Sequence, residues 1–439
     1  MRCSICTLLF VAVPLHAQEN WPQFRGPTAA VAPGVKLEGE LAPVWTTPIH
    51  ELGRGWSSPI VWKDRVYLTF VKNDKTPKSR PGLYIEGVFA SKIPGEHEWS
   101  LACFSLDKGE LLWKKLLHKG EAPGAVHIKN SYASETPVTD GERVYAYFGN
   151  LGLFCTDMDG KSLWTAKPGT FKTRYGWGTA ASPVLHNGKL YIVHDNEETS
   201  FLIAYNVATG KELFRTPRAE KSNWATPFIW ENRLRTEIVT CGTQKVRSYD
   251  LDGKLLWELT GMSTITIPTP SARRDMLYIA SGYVMDASRP IYAIRPGAEG
   301  DISLGKDETS NKFIAWSQKQ GAPYHPSPLL YDGRLYVVYD KGFLACFDAA
   351  TGKEVYAKER IDPGRDKFTA SPVAAAGRIF IASEEGDLFV LKAGPKFEAP
   401  AKVDLKEEMC LATPALVRDS VIVRTDRALW RLAGKKGRE

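Results

Sequence analysis

The chain has 439 residues, of which 43% are hydrophobic and 24% charged, the composition of an ordinary soluble globular protein. Its formal net charge is +7, or +6 without Arg2. That is mild for this length and argues against nucleic-acid binding, leaving a somewhat basic surface.

The first residues read as an export signal. Arg2 gives a short positive start, Cys3 to Leu15 is apolar, and Leu15-His16-Ala17 places a small residue at the cut. The stretch is too short to span a bilayer. Cys3 and Cys6 lie too early in it to become a lipid-anchored mature N-terminus. Cleavage after Ala17 predicts a periplasmic or secreted protein without a membrane span. Residues 18–40 follow as an extended N-terminal segment, and residues 435–439 are a basic, solvated tail.

From residue 41 to residue 434 the chain repeats. Ser58-Pro59, Thr136-Pro137, Ser182-Pro183, Thr226-Pro227, Thr269-Pro270, Ser327-Pro328, Ser371-Pro372 and Thr413-Pro414 each open a short apolar run. The proline-to-proline steps are 78, 46, 44, 43, 58, 44 and 42 residues. Five of these match one four-stranded propeller blade, and the other two match a blade plus an insertion, here residues 71–99 and 284–312. Proline cannot donate to a ladder and so belongs at the first residue of a strand. Turns such as Asn187-Gly188 and Asp332-Gly333 come next. Alternating second strands follow, as in Arg65-Val66-Tyr67-Leu68 and Lys189-Leu190-Tyr191-Ile192. Third strands carry a small residue at one equivalent place: Cys103, Cys155, Ala204, Ser248, Ala293 and Cys346. Fourth strands end in a large ring, as at Trp113, Trp164, Phe214, Trp257 and Tyr356.

The last unit supplies only three strands. The missing one is read at the other end of the chain, Leu41-Ala42-Pro43-Val44-Trp45, with Trp45 in the place of Trp113. The seventh unit has no clear fourth strand, and Ala401 to Leu405 is the best candidate. The expected fold is therefore all-β: an eight-bladed β-propeller closed by pairing an N-terminal strand with the last blade.

The units resemble the pyrroloquinoline-quinone (PQQ)-type propeller repeat, with its Ala/Ser-Thr/Ser-Pro, Asp-Gly-Arg-Val-Tyr, Leu-x-Ala-Leu-Asp and Gly-x-x-x-Trp pattern. Trp21-Pro22-Gln23-Phe24-Arg25-Gly26-Pro27 and the run from Tyr292 to Ile302 resemble exported bacterial members of that type. The resemblance spans roughly residues 20 to 434. It implies a fold far more than a function, since such proteins include quinone-dependent dehydrogenases, an outer-membrane assembly lipoprotein and many exported members of no assigned role.

A quinone dehydrogenase of that type would need calcium held by a carboxylate and an amide, a catalytic Asp, a Trp floor and usually an adjacent Cys-Cys ring. No Cys-Cys, no Cys-x-x-Cys-His and no axial Asp, Glu and Asn set stands out here, so PQQ with calcium lacks support and no cofactor is expected. The eight histidines are scattered and form neither HExxH nor, with serine, GxSxG. Asp195-Asn196-Glu197-Glu198 lacks calcium-loop spacing and reads as a solvated loop. Five cysteines remain after Ala17, an odd number without CxxC spacing.

The most informative constellation is aromatic. Residues just before each Ser/Thr-Pro pair should crowd one mouth of the central channel. They are Trp56, Tyr132, Tyr175, Trp177, Trp224, Tyr324, His325 and Phe368, interleaved with Arg54, Lys129, Asn130, Arg174, Asn223, Arg365 and Lys367. Such a mouth suits a saccharide, a planar quinone-like anion or a peptide. The plainer reading is that the rings cap grooves between blades. The expectation is an exported, monomeric, non-catalytic scaffold that binds a protein or small-molecule ligand. A PQQ-dependent oxidoreductase and an outer-membrane protein assembly factor stand as alternatives.

Overall fold

The computed structural model describes residues 19–82, 88–243, 245–273, 275–406 and 409–435. The export segment 1–17 and residues 436–439 of the basic tail lie outside the described residues. Eight sheets follow one another along the chain, and none of the described residues is α-helical.

Each blade runs from an inner strand beside the axis to an outer one. Blade 1 is Ile60–Trp62, Arg65–Lys72, Glu96–Ser105 and Leu111–Glu121; blade 3 is Val184–His186, Lys189–His194, Ser200–Asn206 and Glu212–Arg218. The seventh blade takes Ala401–Asp404 as its outer strand. In blade 8, Leu41–Pro48 pairs antiparallel with Ala428–Gly434, setting Trp45 opposite Arg431 and Thr46 opposite Trp430. Both terminal regions thus share one sheet, which leaves the ring without an open seam.

The second insertion is divided by the structure. Ile291–Ile294 within it is the third strand of blade 5, while Gly300–Asp301 reaches back to pair in parallel with Trp257 and Glu258 on the edge of blade 4. The first insertion begins and ends inside strands, so its loop proper is residues 73–95.

Three repeated contacts fasten neighbouring blades. At the axis, the backbone amide of each motif Ser or Thr donates to the side-chain oxygen of the next: Ser58 to Thr136 (3.0 Å), Thr136 to Ser182 (2.9 Å), Ser182 to Thr226 (3.0 Å), Thr269 to Ser327 (2.9 Å), Ser327 to Ser371 (2.9 Å), Ser371 to Thr413 (3.0 Å) and Thr413 back to Ser58 (3.0 Å). Only the step from Thr226 to Thr269 lacks such a bond among the described residues. A residue before proline is confined to extended backbone, which presents amide and hydroxyl in the same way in every blade.

Midway out, the second-strand tyrosine reaches the neighbouring blade. Tyr67 donates to the Met158 carbonyl (3.3 Å), Tyr191 to that of Leu251 (3.1 Å) and Tyr278 to that of Ala349 (2.8 Å). At the rim, the outer-strand ring lies on the glycine turn of the next blade, Trp45 on Gly109, Trp113 on Gly160, Trp164 on Gly210 and Trp316 on Gly352. The Trp45 indole also donates to the Leu106 carbonyl (2.9 Å).

The ring explains the small residue of the third strand. Cys103 faces Trp113, Cys155 faces Trp164, Ala204 faces Phe214, Ser248 faces Trp257, Ala293 faces Trp316 and Cys346 faces Tyr356. A register shift follows directly after the small residue in all six. Bulges of this kind steepen the local twist and turn the outer strand toward the next blade. All five described cysteines are buried free thiols, and burial pushes them up to about 12, so they act as packing residues.

Gly210 has φ +70°, and a Cβ there would come 2.5 Å from the Trp164 ring; Gly377 has φ +73° with nothing within 4 Å. Gly377→Ala should therefore cost only the left-handed backbone term, about 1 kcal/mol. Gly210→Ala should cost that plus roughly 1–3 kcal/mol of overpacking. Denaturant midpoints of the two variants check the difference.

Candidate functional site

Along the axis the inner strands enclose a cavity of about 500 Å³. All eight motif hydroxyls, from Ser58 to Thr413, line it. Above them the loops before the inner strands raise an apolar wall. Trp224, Ile265 and Tyr324 are buried together there, with Trp177, Ala180, Ile267 and Tyr283 packed against them. The ring centroids of Trp177 and Trp224 are 5.5 Å apart, those of Tyr175 and Trp177 5.5 Å, and those of Tyr283 and Tyr324 5.3 Å. The indoles are fixed by hydrogen bonds, Trp177 to the Val88 carbonyl (2.6 Å) and Trp224 to the Gly178 carbonyl (2.8 Å). The Trp177 bond ties the first insertion to blade 3. The amide of Gly82, also in that insertion, donates to Glu384 of blade 7 (2.6 Å), so the described parts of the insertion reach the mouth at blades 3 and 7.

The extended N-terminal segment forms the floor. Trp21 bridges to Val61 of blade 1, the Thr139 amide of blade 2 donates to the Pro22 carbonyl (3.0 Å), and Val31 bridges to Ala374 of blade 7. Between these points Arg25 is buried. Its guanidinium donates to the Pro328 carbonyl (2.7 Å), the Thr269 and Pro270 carbonyls (3.4 Å each) and the Ser271 hydroxyl (3.3 Å). Phe24, next to it, lines both the axial cavity and a second cavity of about 520 Å³ on the far side. One segment therefore converts a through-channel into a cup open at one end.

Of the residues expected at the mouth, Trp56, Tyr175, Trp177, Trp224, Tyr324 and His325 line the cup, with Lys129 and Asn130. The others are placed elsewhere. Tyr132 packs edge-on to His97 and Trp99 and donates to the Gly124 carbonyl (2.7 Å). Phe368 is fully buried beside Phe389. Arg54 pairs its backbone with Val71 and donates to the Pro77 carbonyl (2.5 Å). Lys367 is bound to Asp366 (3.0 Å) and Glu385 (3.2 Å), and Arg365 to Asp387. Asn223 donates to Asp195. This corrects the expectation of a solvated acidic loop: Asp195 and Asn196 are buried, because the Arg218 guanidinium meets Asp195 in a two-pronged pair of 2.8 and 2.9 Å. The sequence reading missed Phe24, His127, Ile267, Tyr283, Val284, Met285 and Leu411, which also line the cup.

Among the described residues no aspartate or glutamate lines the cup. The nearby acids sit behind its wall. Glu384 accepts from Lys129 (2.6 Å) and Thr369 (2.6 Å); burial alone would raise its carboxyl, but the Lys129 ammonium outweighs this and holds it below the ordinary value. Glu135 accepts from Thr179 (2.5 Å), and burial pushes it up to about 7. His325 is held by Asp340, whose carboxylate also accepts from the Tyr324 amide (2.9 Å). Burial, then the charges of Lys129 and His325, pull His127 down to about 4. Its Nδ1 accepts from the Lys129 amide (3.1 Å), which leaves the proton on Nε2. Among the described residues no group of three or more His, Cys, Asp or Glu side chains could hold a metal. A calcium–quinone pair therefore does not fit this lining, whose described residues offer hydroxyls, imidazoles, an amide and the Lys129 ammonium but no anionic oxygen.

The raised Glu135 sets a pH dependence. The folded chain favours the neutral carboxyl, whereas the unfolded chain releases its proton near the ordinary 4.5. Its contribution is complete below that pH and is lost as pH rises through about 7. Glu135→Gln should flatten the fall in stability across this window by about 3 kcal/mol, measured by urea unfolding at pH 4.5 and pH 8.

A family model described as outer membrane protein assembly factor BamB, of the PQQ-repeat type, matches residues 155–298 and 306–393. No curated protein matches. Among solved structures, BamB from Moraxella catarrhalis superposes at TM-score 0.57 with 10% identity, covering 91% of this chain and 99% of that one. A europium-containing methanol dehydrogenase gives 0.55 and 10%, covering 90% and 93%. The computationally designed Ika8 protein gives 0.52 and 10%, covering 80% and 100%. At such identities the superpositions establish the propeller fold alone. The family match spans just over half of the chain. The chain belongs to the PQQ-type propeller-repeat family described as outer membrane protein assembly factor BamB.

Proposed function

We propose that this protein is an exported, non-catalytic propeller that works in the periplasm or outside the cell as a binding scaffold, with the axial cup as its contact site. The observation that carries this reading is the cup itself. It is blind, walled by aromatic rings pinned through hydrogen bonds, and open at one end. Concave sites of this size with a mostly apolar wall and a few fixed polar groups are the usual form of a ligand pocket.

The rim adds a second supporting feature. Phe89 and Met285 are largely exposed, and Tyr175 and Val284 about half exposed, around the same mouth. Phe89 packs edge-on to Tyr175 at 5.4 Å. Apolar side chains gathered on a rim favour a partner that extends beyond the cup. The family match supports a protein partner, and an assembly role at the envelope is the second reading. An oxidoreductase role draws no support from the described residues of the lining, which supply no anionic oxygen.

Replacing Trp177 and Trp224 together with Ala should weaken partner capture from envelope extract by roughly 30-fold or more. Circular dichroism should stay that of the parent. Capture by the double variant equal to the parent's would remove the cup from the binding surface. Adding PQQ with calcium should leave the melting temperature unchanged, whereas a tight complex would raise stability by about 3 kcal/mol at 100-fold saturation.

A further inference from the structure

The hydroxyl ring at the base of the cup has unspent donor capacity. Seven of the eight motif oxygens accept a backbone amide, as set out above, and Thr269 completes the circle. Among the described hydrogen bonds none has any of the eight as donor. Each hydroxyl is buried, lines the cavity, and keeps its proton free to point at whatever stands on the axis. An amide donating into the same oxygen polarises the hydroxyl and makes its proton a better donor. Seven such donors, with the Thr269 hydroxyl, converge below a wall in which none of the described residues supplies a carboxylate. The base is therefore built to receive acceptor oxygen atoms, and negative charge meets no like charge there.

The shape restricts how a ligand reaches this base. The blades form a closed ring and Phe24 seals the bottom. A polypeptide cannot lie through the cup; it descends as a chain end or as a tight loop, and a chain end is the narrower of the two. A donor-rich, carboxylate-free base favours a carboxyl terminus over an amino terminus. The apolar walls of Trp177, Trp224 and Tyr324 favour an apolar last side chain. Phe89 lies beyond the cup lining and Met285 at its rim, both largely exposed, so a molecule confined to the cup would leave most of their surface uncovered.

Accepting the cup as the contact site, we infer that it takes the carboxyl-terminal residue of a partner chain end-on, with the terminal carboxylate on the Ser/Thr ring and an apolar side chain against the aromatic wall. At about 500 Å³ the cup has the volume of a small-ligand site, which suits the last two or three residues of a chain.

The test titrates the full protein with three probes, followed by calorimetry and tryptophan fluorescence. The probes are acetyl-Gly-Ser-Ala-Leu with a free carboxylate, the same peptide as its terminal amide, and 4-methylpentanoate as the bare apolar acid. The free-acid peptide should bind, with the amide weaker by on the order of tenfold or more, the usual effect of losing charge-assisted hydrogen bonds. The bare acid should bind more weakly than the peptide. Ser327→Ala and Ser371→Ala should each weaken the free-acid peptide without affecting the amide. Should these variants unfold, the acid–amide comparison on the native chain still decides. Equal binding of acid and amide, abolished by Trp177→Ala, would overturn the carboxylate assignment while leaving the cup as the contact site. Bare acid binding as tightly as peptide would overturn the assignment to a chain terminus. No binding of the free-acid peptide at millimolar concentration would overturn the inference, and capture from extract by parent and double variant would then judge the broader reading independently.

Discussion

The whole ring depends on one short-range bond repeated at the axis, a backbone amide of one blade donating to the Ser or Thr oxygen of the next. Each bond contributes only about 1 kcal/mol. Its importance is positional: it sets the distance between adjacent inner strands, and everything farther out inherits that spacing. The tyrosine bridges midway out and the tryptophan-on-glycine contacts at the rim repeat because the axis repeats. The same bond serves the site. By occupying one lone pair on seven of the eight oxygens it leaves their protons free to turn toward the cavity.

The N-terminal region closes the molecule twice. Leu41–Pro48 supplies the outer strand that blade 8 lacks, so the edge that would template aggregation is paired within the chain. Upstream of it, Trp21, Phe24 and Arg25 cross under the axis and turn a channel into a cup. The Arg25 guanidinium lies buried among carbonyl and hydroxyl oxygens without a carboxylate, and burial pulls it down to about 9. Five oxygen contacts from three residues of blade 5 and one of blade 6 compensate for the lost solvation.

Much of the architecture was legible because its causes are local and repeated. Ser/Thr-Pro marks the inner strand, the small residue marks the place of the facing ring, and Trp45 could be matched to Trp113 by pattern alone. The site was legible only in part. A position just before the proline fixes the level of a side chain along the axis but not its direction. Trp177 and Trp224 turn inward, whereas Tyr132 turns to Trp99 and Phe368 to Phe389 at similar levels. The polar neighbours were misplaced for a related reason: Asn223 and Arg218 both donate to Asp195, and no spacing in the sequence reveals that these three come together. Phe24 carries no repeat signal, so its place in the floor could not be read before the fold was known.

Hydrogen exchange at the motif amides tests the central claim most directly. The amides of Ser58, Thr136, Ser182, Thr269, Ser327, Ser371 and Thr413 should exchange as slowly as those of the buried second strands, although they border a cavity. The Thr226 amide, at the one unbonded step, should exchange faster than its seven counterparts. Exchange of all eight at loop-like rates would contradict a ring held together at its axis.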